Sequence, residues 1–255
     1  MTYCLGIVNS AGLVFGADSR TNAGVDYIST YHKLFDFTLP GERAIVLCTS
    51  GNLSVTQAVM HQVRRDLKQP EDENLYTLPS LYDTARYIGK KIRTIQEIDR
   101  PWFERDRIDF QCNFLVGGQI RGEEPKLFLV YPQGNCIQAT PETPFLQIGE
   151  TKYGKPILDR LLQYDTPLEI AVKSAVLSID STMKSNISVG PPINVIMYQR
   201  DTFEIRHRLR LRLGSPYLAK IRQYWEDAVL KTFEAMPDIE WQDDVGVDRR
   251  EVLID

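Results

Sequence analysis

Short apolar segments separated by turn residues predict β-strands along much of the chain. The first eighteen residues are typical of a β-hairpin, with apolar runs at 3–8 and 13–17 on either side of Asn9-Ser10-Ala11-Gly12. The second run is followed by Asp18, which is either a turn residue or a charge held in place. The same kind of pattern predicts further strands at 44–48, 110–116, 126–131, 145–148, 193–198 and 203–213.

Apolar residues at helical spacing predict five helices, at 53–67, 81–95, about 152–162, 168–179 and 218–236. Ser80 is placed to cap the second helix, and Thr166-Pro167-Leu168-Glu169 is a capping-box pattern for the fourth. The order is strands, two helices, strands, two helices, strands and one helix. It favours a single α+β domain with helices on the outer faces of two stacked sheets, although periodicity alone leaves the layering open.

Composition and charge narrow the class of protein. The 255 residues are 43% apolar and 25% charged, which is typical of a globular domain and excludes a disordered chain. The net charge of −4 gives no basic field for nucleic acid, and no apolar run is long enough to span a membrane. The N-terminus lacks the features of a secretory signal, and the four cysteines are far apart. We therefore expect a cytoplasmic protein with reduced thiols and with neither a metal site nor a cofactor.

The N-terminus carries the strongest candidate chemistry. Methionine is generally removed before a small residue, so the mature chain is expected to begin with Thr2. A terminal α-amine can act as the base for its own side-chain hydroxyl. Its pKa of roughly 7.7–8.0 is better suited to that task when a nearby cation lowers it. Lys33 is the candidate cation and Asp18 its candidate anchor, whereas taken singly such residues are more often ordinary surface charges.

These residues in combination resemble the β-subunits of proteasome-type proteases, which are N-terminal-nucleophile hydrolases. The resemblance rests on Thr2-Tyr-Cys-Leu-Gly-Ile, on Gly12-Leu-Val-Phe-Gly-Ala-Asp18-Ser-Arg20 and on Lys33. Phe114-Leu-Val-Gly117-Gly118 and Tyr131-Pro-Gln-Gly134 are similar to the middle strands and turn of the family. The N-terminal stretch, together with Asp18-Ser-Arg-Thr-Asn-Ala-Gly-Val-Asp26, is most similar to the bacterial Anbu branch, the ancestral β-subunits.

The resemblance implies a fold and a set of site residues. The fold is a four-layer α-β-β-α sandwich in one domain spanning 1–255, with a core at about 2–214 and a C-terminal helix and acidic tail at about 215–255. The implied nucleophile is Thr2, with Lys33 tuning its amine, Asp18 orienting Lys33 and the Gly51 N–H as oxyanion donor. The implied supporting residues are Arg20, Asp180 and Ser188. Two departures from the family pattern are a Thr2-to-Lys33 interval one residue shorter and a changed sequence after Asp180.

The function implied by the resemblance is a threonine-type amide hydrolase, in the first place a peptidase, acting on a peptide or amide substrate after removal of Met1. Two alternatives remain open at this point: a narrow-specificity amidase or amide-transfer enzyme with the same nucleophile, and a catalytically silent assembly subunit. The family also implies a homo-oligomer, either ring-like or an open helical or lock-washer assembly. The chain has no Walker loop, so any unfoldase or adaptor would be a separate protein.

Two further features have simple structural interpretations. Cys4 is the rival nucleophile, two residues along the same strand face, although a thiol inside a strand more often belongs to the core. The segment 205–213 alternates four arginines with apolar residues and His207. It is either a polyanion site or, as we favour, a surface that pairs with the acidic tail or a neighbouring subunit. His207 is expected in the core or at an interface.

Overall fold

The computed structural model describes residues 2–22, 28–69 and 73–241. Within these ranges the chain forms two five-stranded antiparallel sheets and a two-stranded ribbon. The strands, in chain order, are β1 (Tyr3–Asn9), β2 (Gly12–Ala17), β3 (Arg20–Asn22), β4 (Ile28–Thr30), β5 (Leu34–Asp36), β6 (Arg43–Gly51), β7 (Cys112–Ile120), β8 (Lys126–Val130), β9 (Cys136–Gln138), β10 (Phe145–Gly149), β11 (Ile193–Gln199) and β12 (His207–Leu211). The helices are α1 (Leu53–Asp66), α2 (Leu81–Arg105), α3 (Lys155–Leu161), α4 (Leu168–Ser185) and α5 (Pro216–Glu234).

Sheet I contains the N-terminal hairpin, in the order β10-β1-β2-β11-β12. The predicted hairpin is confirmed, with Asn9 opposite Gly12 at its turn. Sheet II has the order β5-β6-β7-β8-β9, and β3 pairs with β4 as a separate ribbon. The predicted strand at 203–213 is shorter in the structure, where β12 covers only His207–Leu211. The three-residue strands β3, β4, β5 and β9 were not predicted, because three residues are too few for an alternating pattern.

The two sheets pack face to face, and helices cover both outer faces. Side chains such as Phe15 from sheet I and Val46 and Leu115 from sheet II fill the space between the sheets. The opposite face of sheet II packs against α1 and α2, and the outer face of sheet I packs against α4. The four-layer α-β-β-α sandwich is therefore confirmed. The periodicity of the sequence alone did not decide the order of these layers.

The helix ends match the sequence predictions in part. Ser80 caps α2 as predicted, because its side chain accepts a 3.0 Å hydrogen bond from the N–H of Asp83. The capping box predicted for α4 is wrong: the helix begins at Leu168 without a side-chain cap. The Thr166 hydroxyl instead accepts a hydrogen bond from the N–H of Gln163, closing the preceding turn.

Helix α5 lies mostly on the surface. Within it only Leu218 is buried, whereas Leu230 and Phe233 are 62% and 71% exposed. Its Arg222 pairs with Asp180 of α4, which attaches the helix to the outer layer of sheet I. Among the described residues, no helix has both the length and the apolar character needed to cross a membrane. The acidic tail predicted to dock or pair with arginines lies, from residue 242 onward, outside the described residues.

Candidate active site

Thr2 lies at the end of sheet I, immediately before β1. Its carbonyl oxygen accepts a 2.7 Å hydrogen bond from the N–H of Glu150, and the next residue, Tyr3, pairs with Gly149 of β10. Gly149 has a φ of +86°, and a Cβ there would collide with the Thr2 carbonyl oxygen. Only glycine permits this close approach, so the Thr2 backbone is fixed by two strands of sheet I.

Asp18 lies directly after β2, fully buried, and both of its carboxylate oxygens are satisfied. Oδ1 accepts hydrogen bonds from the N–H of Tyr3 at 3.0 Å and from Nζ of Lys33 at 2.8 Å. Oδ2 accepts from the N–H groups of Arg20 and Gly190, each at 3.1 Å. The carboxylate therefore joins the start of β1, the Lys33 ammonium and the loop after α4.

The buried environment of Asp18 destabilises the charged form of its carboxyl group. Burial raises the pKa of the Asp18 carboxyl, an effect that the Lys33 ammonium and the N–H groups of Tyr3 and Gly190 oppose. A buried carboxylate is normally retained only with such partners. The ion pair thus makes the negative charge of Asp18 tolerable inside the sandwich.

Lys33 occupies the position before β5, with its side chain 5% exposed. Besides Asp18, its Nζ donates a 2.5 Å hydrogen bond to the carbonyl oxygen of Arg20. The N–H of Thr49 donates to the Lys33 carbonyl oxygen at 2.9 Å, which fixes the lysine backbone against β6. The Lys33 ammonium is therefore held by oxygen atoms rather than left free in solvent.

Gly51 ends β6 in a conformation that requires glycine. Its φ is +98°, and a Cβ there would collide with the carbonyl oxygen of Gln111 and approach the Cα of Cys112 to 2.8 Å. The next residue, Asn52, caps α1 by accepting hydrogen bonds from the N–H groups of Ser54 and Val55. This cap was not predicted, although asparagine before an apolar helical stripe is a recognisable signal.

A cavity of about 460 Å³ brings three of the predicted site residues together. We call it the Thr2 cavity; its walls include Thr2, Lys33 and Gly51, with Thr49 and Asn113 among the others. The nucleophile, the cation and the oxyanion donor expected from the sequence thus line one space. It opens where the ends of β1, β6 and β10 meet.

The family model described as "Proteasome subunit" matches residues 2–197. The chain belongs to the proteasome subunit family. A comparison with curated proteins gives no match.

Solved Anbu structures resemble this proteasome-family subunit over nearly its whole length. Anbu (ancestral beta-subunit) from Yersinia bercovieri is 45% identical, with a TM-score of 0.89, and the match covers 95% of this chain and 100% of that one. Anbu from Hyphomicrobium sp. strain MC1 is 44% identical, with a TM-score of 0.87 and coverage of 94% and 100%. A structure described as the helical assembly of the Anbu complex from Pseudomonas aeruginosa is 43% identical, with a TM-score of 0.88 and coverage of 94% and 98%. The expected similarity to the Anbu branch is confirmed.

Arg20 of this proteasome-family subunit supports the loop that follows α4. Its Nη1 donates a 2.7 Å hydrogen bond to the carbonyl oxygen of Ile187. Its guanidinium lies so close to Gly190 that a Cβ there would collide with it. Arg20 therefore supports the ion pair in two ways. Its own N–H donates to Asp18, and its side chain holds the loop whose Gly190 N–H also donates to Asp18.

The other two predicted supporting residues lie away from the walls of the Thr2 cavity. Both carboxylate oxygens of Asp180 accept hydrogen bonds from Arg222, at 3.1 and 2.5 Å, so this residue binds α5. Ser188 is half-buried, and its N–H donates to the side-chain oxygen of Asn186 within the loop. The structure shows no direct contact of either side chain with Thr2.

Cys4 is a core residue of the subunit. It is fully buried between the sheets, and its Sγ lies 3.6 Å from the carbonyl oxygen of Thr49. Burial raises the pKa of its thiol well above the usual value, with neighbouring Cys48 adding to the effect. Because the reactive form of cysteine is the thiolate, this environment disfavours Cys4 as the nucleophile.

The segment 205–213 includes β12 at the edge of sheet I, and its four arginines are exposed. Arg206 pairs with Glu204 and Arg208 with Asp36, so part of the charge is neutralised within the chain. His207 is exposed in the subunit, so the core position is wrong, and the alternative of an interface position stays a prediction. Strand β12 is at the edge of sheet I, with β11 as its neighbour on one side only.

A second space opens beside the Thr2 cavity along α1. This space, the α1 hollow, has a volume of about 270 Å³ and shares Thr49, Leu53 and Thr56 with the Thr2 cavity. The two spaces are therefore neighbours that meet at the end of β6. Sequence reasoning did not find the α1 hollow, because its walls come from α1, from β5 and β6 and from Tyr31 and His32 before β5, and only α1 shows a clear periodic pattern.

Proposed function

We propose that this proteasome-family subunit is a threonine-type amide hydrolase, in the first place a peptidase, with Thr2 as its nucleophile. The observation that carries the proposal is the shared cavity of Thr2, Lys33 and Gly51, with Lys33 bound to the buried Asp18 at 2.8 Å. A lone threonine at a chain terminus carries no such partners. Loss of Met1 would expose the α-amine that the mechanism needs.

The first chemical step is acyl transfer to Thr2. The hydroxyl oxygen attacks the amide carbonyl carbon, while the α-amine accepts the hydroxyl proton. The Lys33 ammonium lowers the pKa of that amine, and Asp18 keeps the ammonium in place. The Gly51 N–H donates to the oxyanion, a contribution typically of about 2.7–4 kcal/mol in the transition state. The protonated amine then gives its proton to the leaving nitrogen, and the C–N bond breaks.

The second step releases the acyl group. Water attacks the Thr2 ester with the α-amine again as base, the carboxylic acid leaves and the threonine hydroxyl is restored. All proton transfers use one group that alternates between acid and base. The reaction therefore requires neither a metal nor a cofactor to balance.

Intact mass of the purified subunit, before and after treatment with a threonine-reactive β-lactone, tests the nucleophile. We expect the chain without Met1, one covalent adduct on Thr2, and hydrolysis of a fluorogenic peptide. Thr2→Ala should lose both the adduct and the hydrolysis, while Cys4→Ala should keep them. A retained Met1, or an adduct that persists in Thr2→Ala, contradicts the proposal.

We further propose that the subunit works as a homo-oligomer. The support is the helical assembly described for the Anbu complex from Pseudomonas aeruginosa and the apolar side chains exposed near the C-terminus of this chain, among them Leu230, Phe233 and Trp241. Leu230 and Phe233 lie together on α5, and exposed apolar residues grouped on one element are typical of interaction surfaces. Sedimentation of the purified protein should show a species larger than 29.2 kDa, which Phe233→Lys should dissociate; a monomer at micromolar concentration contradicts the proposal.

A further inference from the structure

A groove of about 360 Å³ lies between the C-terminal half of α2, the segment before β7 and the turn after β8. We call it the α2 groove; its helix wall consists of Arg93, Gln96, Glu97 and Arg100, and residues 110–111 and 132–133 lie opposite. The helix residues are three or four positions apart, so they share one face of α2. The groove adjoins the Thr2 cavity, since Gln111 lines both spaces.

Gln96 brings an unpaired amide to the wall of the α2 groove. Its side chain is 5% exposed, and it forms no hydrogen bond within residues 2–22, 28–69 and 73–241. A primary amide can donate two hydrogen bonds and accept two, and a buried polar group without a partner is costly. Leucine would fill a similar volume without that cost. The amide in a cavity wall therefore points to a ligand that completes its hydrogen bonds.

Arg93 and Glu97 lie on either side of Gln96 and do not pair with each other. Side chains four residues apart on a helix have Cβ atoms about 5–6 Å apart and commonly form ion pairs, but neither residue forms one within the described part of the chain. Nη1 of Arg93 instead donates a 3.3 Å hydrogen bond to the carbonyl oxygen of Gln133, and a Cβ on Gly134 would approach this nitrogen to 2.6 Å. The groove thus presents a cation held in place and a separate anion.

Arg100, at the other end of the same helix face, already has partners within the protein. Its Nη1 lies 3.6 Å from Oε1 of Glu104, and its guanidinium carbon lies 5.3 Å above the centre of the Phe110 ring. Phe110 in turn stacks on Phe103, with the ring centres 5.6 Å apart. The unpaired charges of the described groove walls are therefore those of Arg93 and Glu97.

We infer that the α2 groove binds a short peptide with both termini free, and that a dipeptide fits it best. The terminal carboxylate binds the Arg93 guanidinium, the terminal ammonium binds Glu97, and the peptide group between them exchanges hydrogen bonds with Gln96. Two extended residues span about 7 Å, which is close to the separation of side chains one helical turn apart. A longer peptide places its termini too far apart for both contacts, and a single amino acid has no peptide group for Gln96.

The ligand belongs to the class of molecules that peptide hydrolysis releases, because every such product carries a free ammonium and a free carboxylate. The groove contains none of the proposed catalytic residues. Binding can therefore be measured without turnover, and the inference stands or falls independently of the proposed hydrolase.

Isothermal titration calorimetry of the full-length subunit with alanyl-alanine tests the inference. We expect one saturable site per subunit, and about tenfold weaker binding of the N-acetylated and the C-amidated dipeptide, the low end for loss of a charge-assisted hydrogen bond. In Glu97→Gln the N-acetylated form should bind as well as the free dipeptide, and in Arg93→Gln the amidated form should. Gln96→Leu should weaken binding of all three ligands and keep or raise the urea midpoint of unfolding, which a structural role of Gln96 would lower.

Glu104→Gln and Arg105→Gln are the matched controls, because they remove the same charges from the same helix outside the groove walls. Both should leave all the affinities unchanged. The inference is overturned if alanyl-alanine shows no saturable binding at millimolar concentration, if the capped forms bind as tightly as the free dipeptide, or if Arg93→Gln and Glu97→Gln keep the discrimination. None of these results bears on the hydrolase, which the β-lactone adduct on Thr2 tests separately.

Discussion

Nζ of Lys33 and the N–H of Tyr3 donate to the same oxygen of Asp18, Oδ1, at 2.8 and 3.0 Å. One buried atom therefore fixes both the cation of the candidate site and the residue that follows Thr2. A change at Asp18 alters the charge and the position of the site together. The variant Asp18→Asn removes the charge with little change of shape, but its amide NH2 replaces one of the two oxygens that accept these hydrogen bonds.

We expect Asp18→Asn to lower kcat/KM by about 100-fold, the low end for loss of general acid–base catalysis. A buried lysine without its carboxylate partner has a lowered pKa and readily loses its charge. The free energy of unfolding should fall as well, by about 3–5 kcal/mol, because the variant leaves Lys33 buried without its carboxylate and turns an amide NH2 toward N–H donors that the carboxylate accepts. Peptide hydrolysis and urea unfolding measure the two quantities; a variant of full activity refutes the role of the ion pair.

Gly51→Ala should destabilise the subunit by about 2 kcal/mol or more and abolish hydrolysis, because its φ of +98° is strained for alanine and its Cβ meets the backbone of Gln111. Gly122→Ala is the matched control. Gly122 has a φ of +90° but nothing within 4 Å of a Cβ, so it carries the strain without the collision. We expect a smaller loss of stability there and unchanged hydrolysis, both measured by urea unfolding and peptide assay.

Arg222→Ala tests whether Asp180 serves the site or the terminal helix. It removes the hydrogen-bonding partner of both Asp180 oxygens and should destabilise the packing of α5 by about 1–3 kcal/mol. Amide hydrogen exchange should rise in α5, while labelling of Thr2 stays unchanged. Glu226→Gln, which breaks the exposed pair with Lys184, should have little effect on either. Loss of Thr2 labelling in Arg222→Ala would instead connect Asp180 to catalysis.

Asp66 makes the stability of the fold depend on pH in the acidic range. Its burial opposes the charge, but hydrogen bonds from Lys91 and Tyr87 outweigh that effect and hold the pKa of Asp66 below its usual value. A depressed folded-state pKa contributes stability above the unfolded value of about 3.9 and loses it as pH falls through the folded value. The stability difference between wild type and Asp66→Asn should therefore be largest near neutral pH and shrink below about pH 4.

The matched control for that prediction is Asp106→Asn, which removes an exposed carboxylate paired with Arg105. Exposed pairs contribute little, so this variant should follow the wild-type stability at every pH between 3 and 7. Urea unfolding at several pH values measures all three proteins. A constant difference for Asp66→Asn across that range contradicts the role of its charge.

Local patterns predicted the elements that are long enough to repeat. The hairpin of β1 and β2 followed from two apolar runs on either side of the turn residues at 9–12, and α1, α2 and α4 followed from their apolar stripes. One error arose where a competing local contact determines the structure at the start of a helix. Thr166 closes a turn with Gln163 instead of capping α4. His207 was expected in the core or at an interface; it is exposed in the subunit at the start of the edge strand β12, so the core alternative is wrong.

The sequence by itself determined the residue types of the candidate site, because Thr2, Asp18, Lys33 and Gly51 in combination resemble the site residues of proteasome-type β-subunits. Only the tertiary structure decided which of them meet. Asp18 and Gly190 are 172 residues apart in the chain and 3.1 Å apart in space, a contact that exists only because β2 and β11 are neighbours in sheet I. The α1 hollow likewise depends on β5 and α1 packing side by side, since long-range packing and not local preference brings their side chains together.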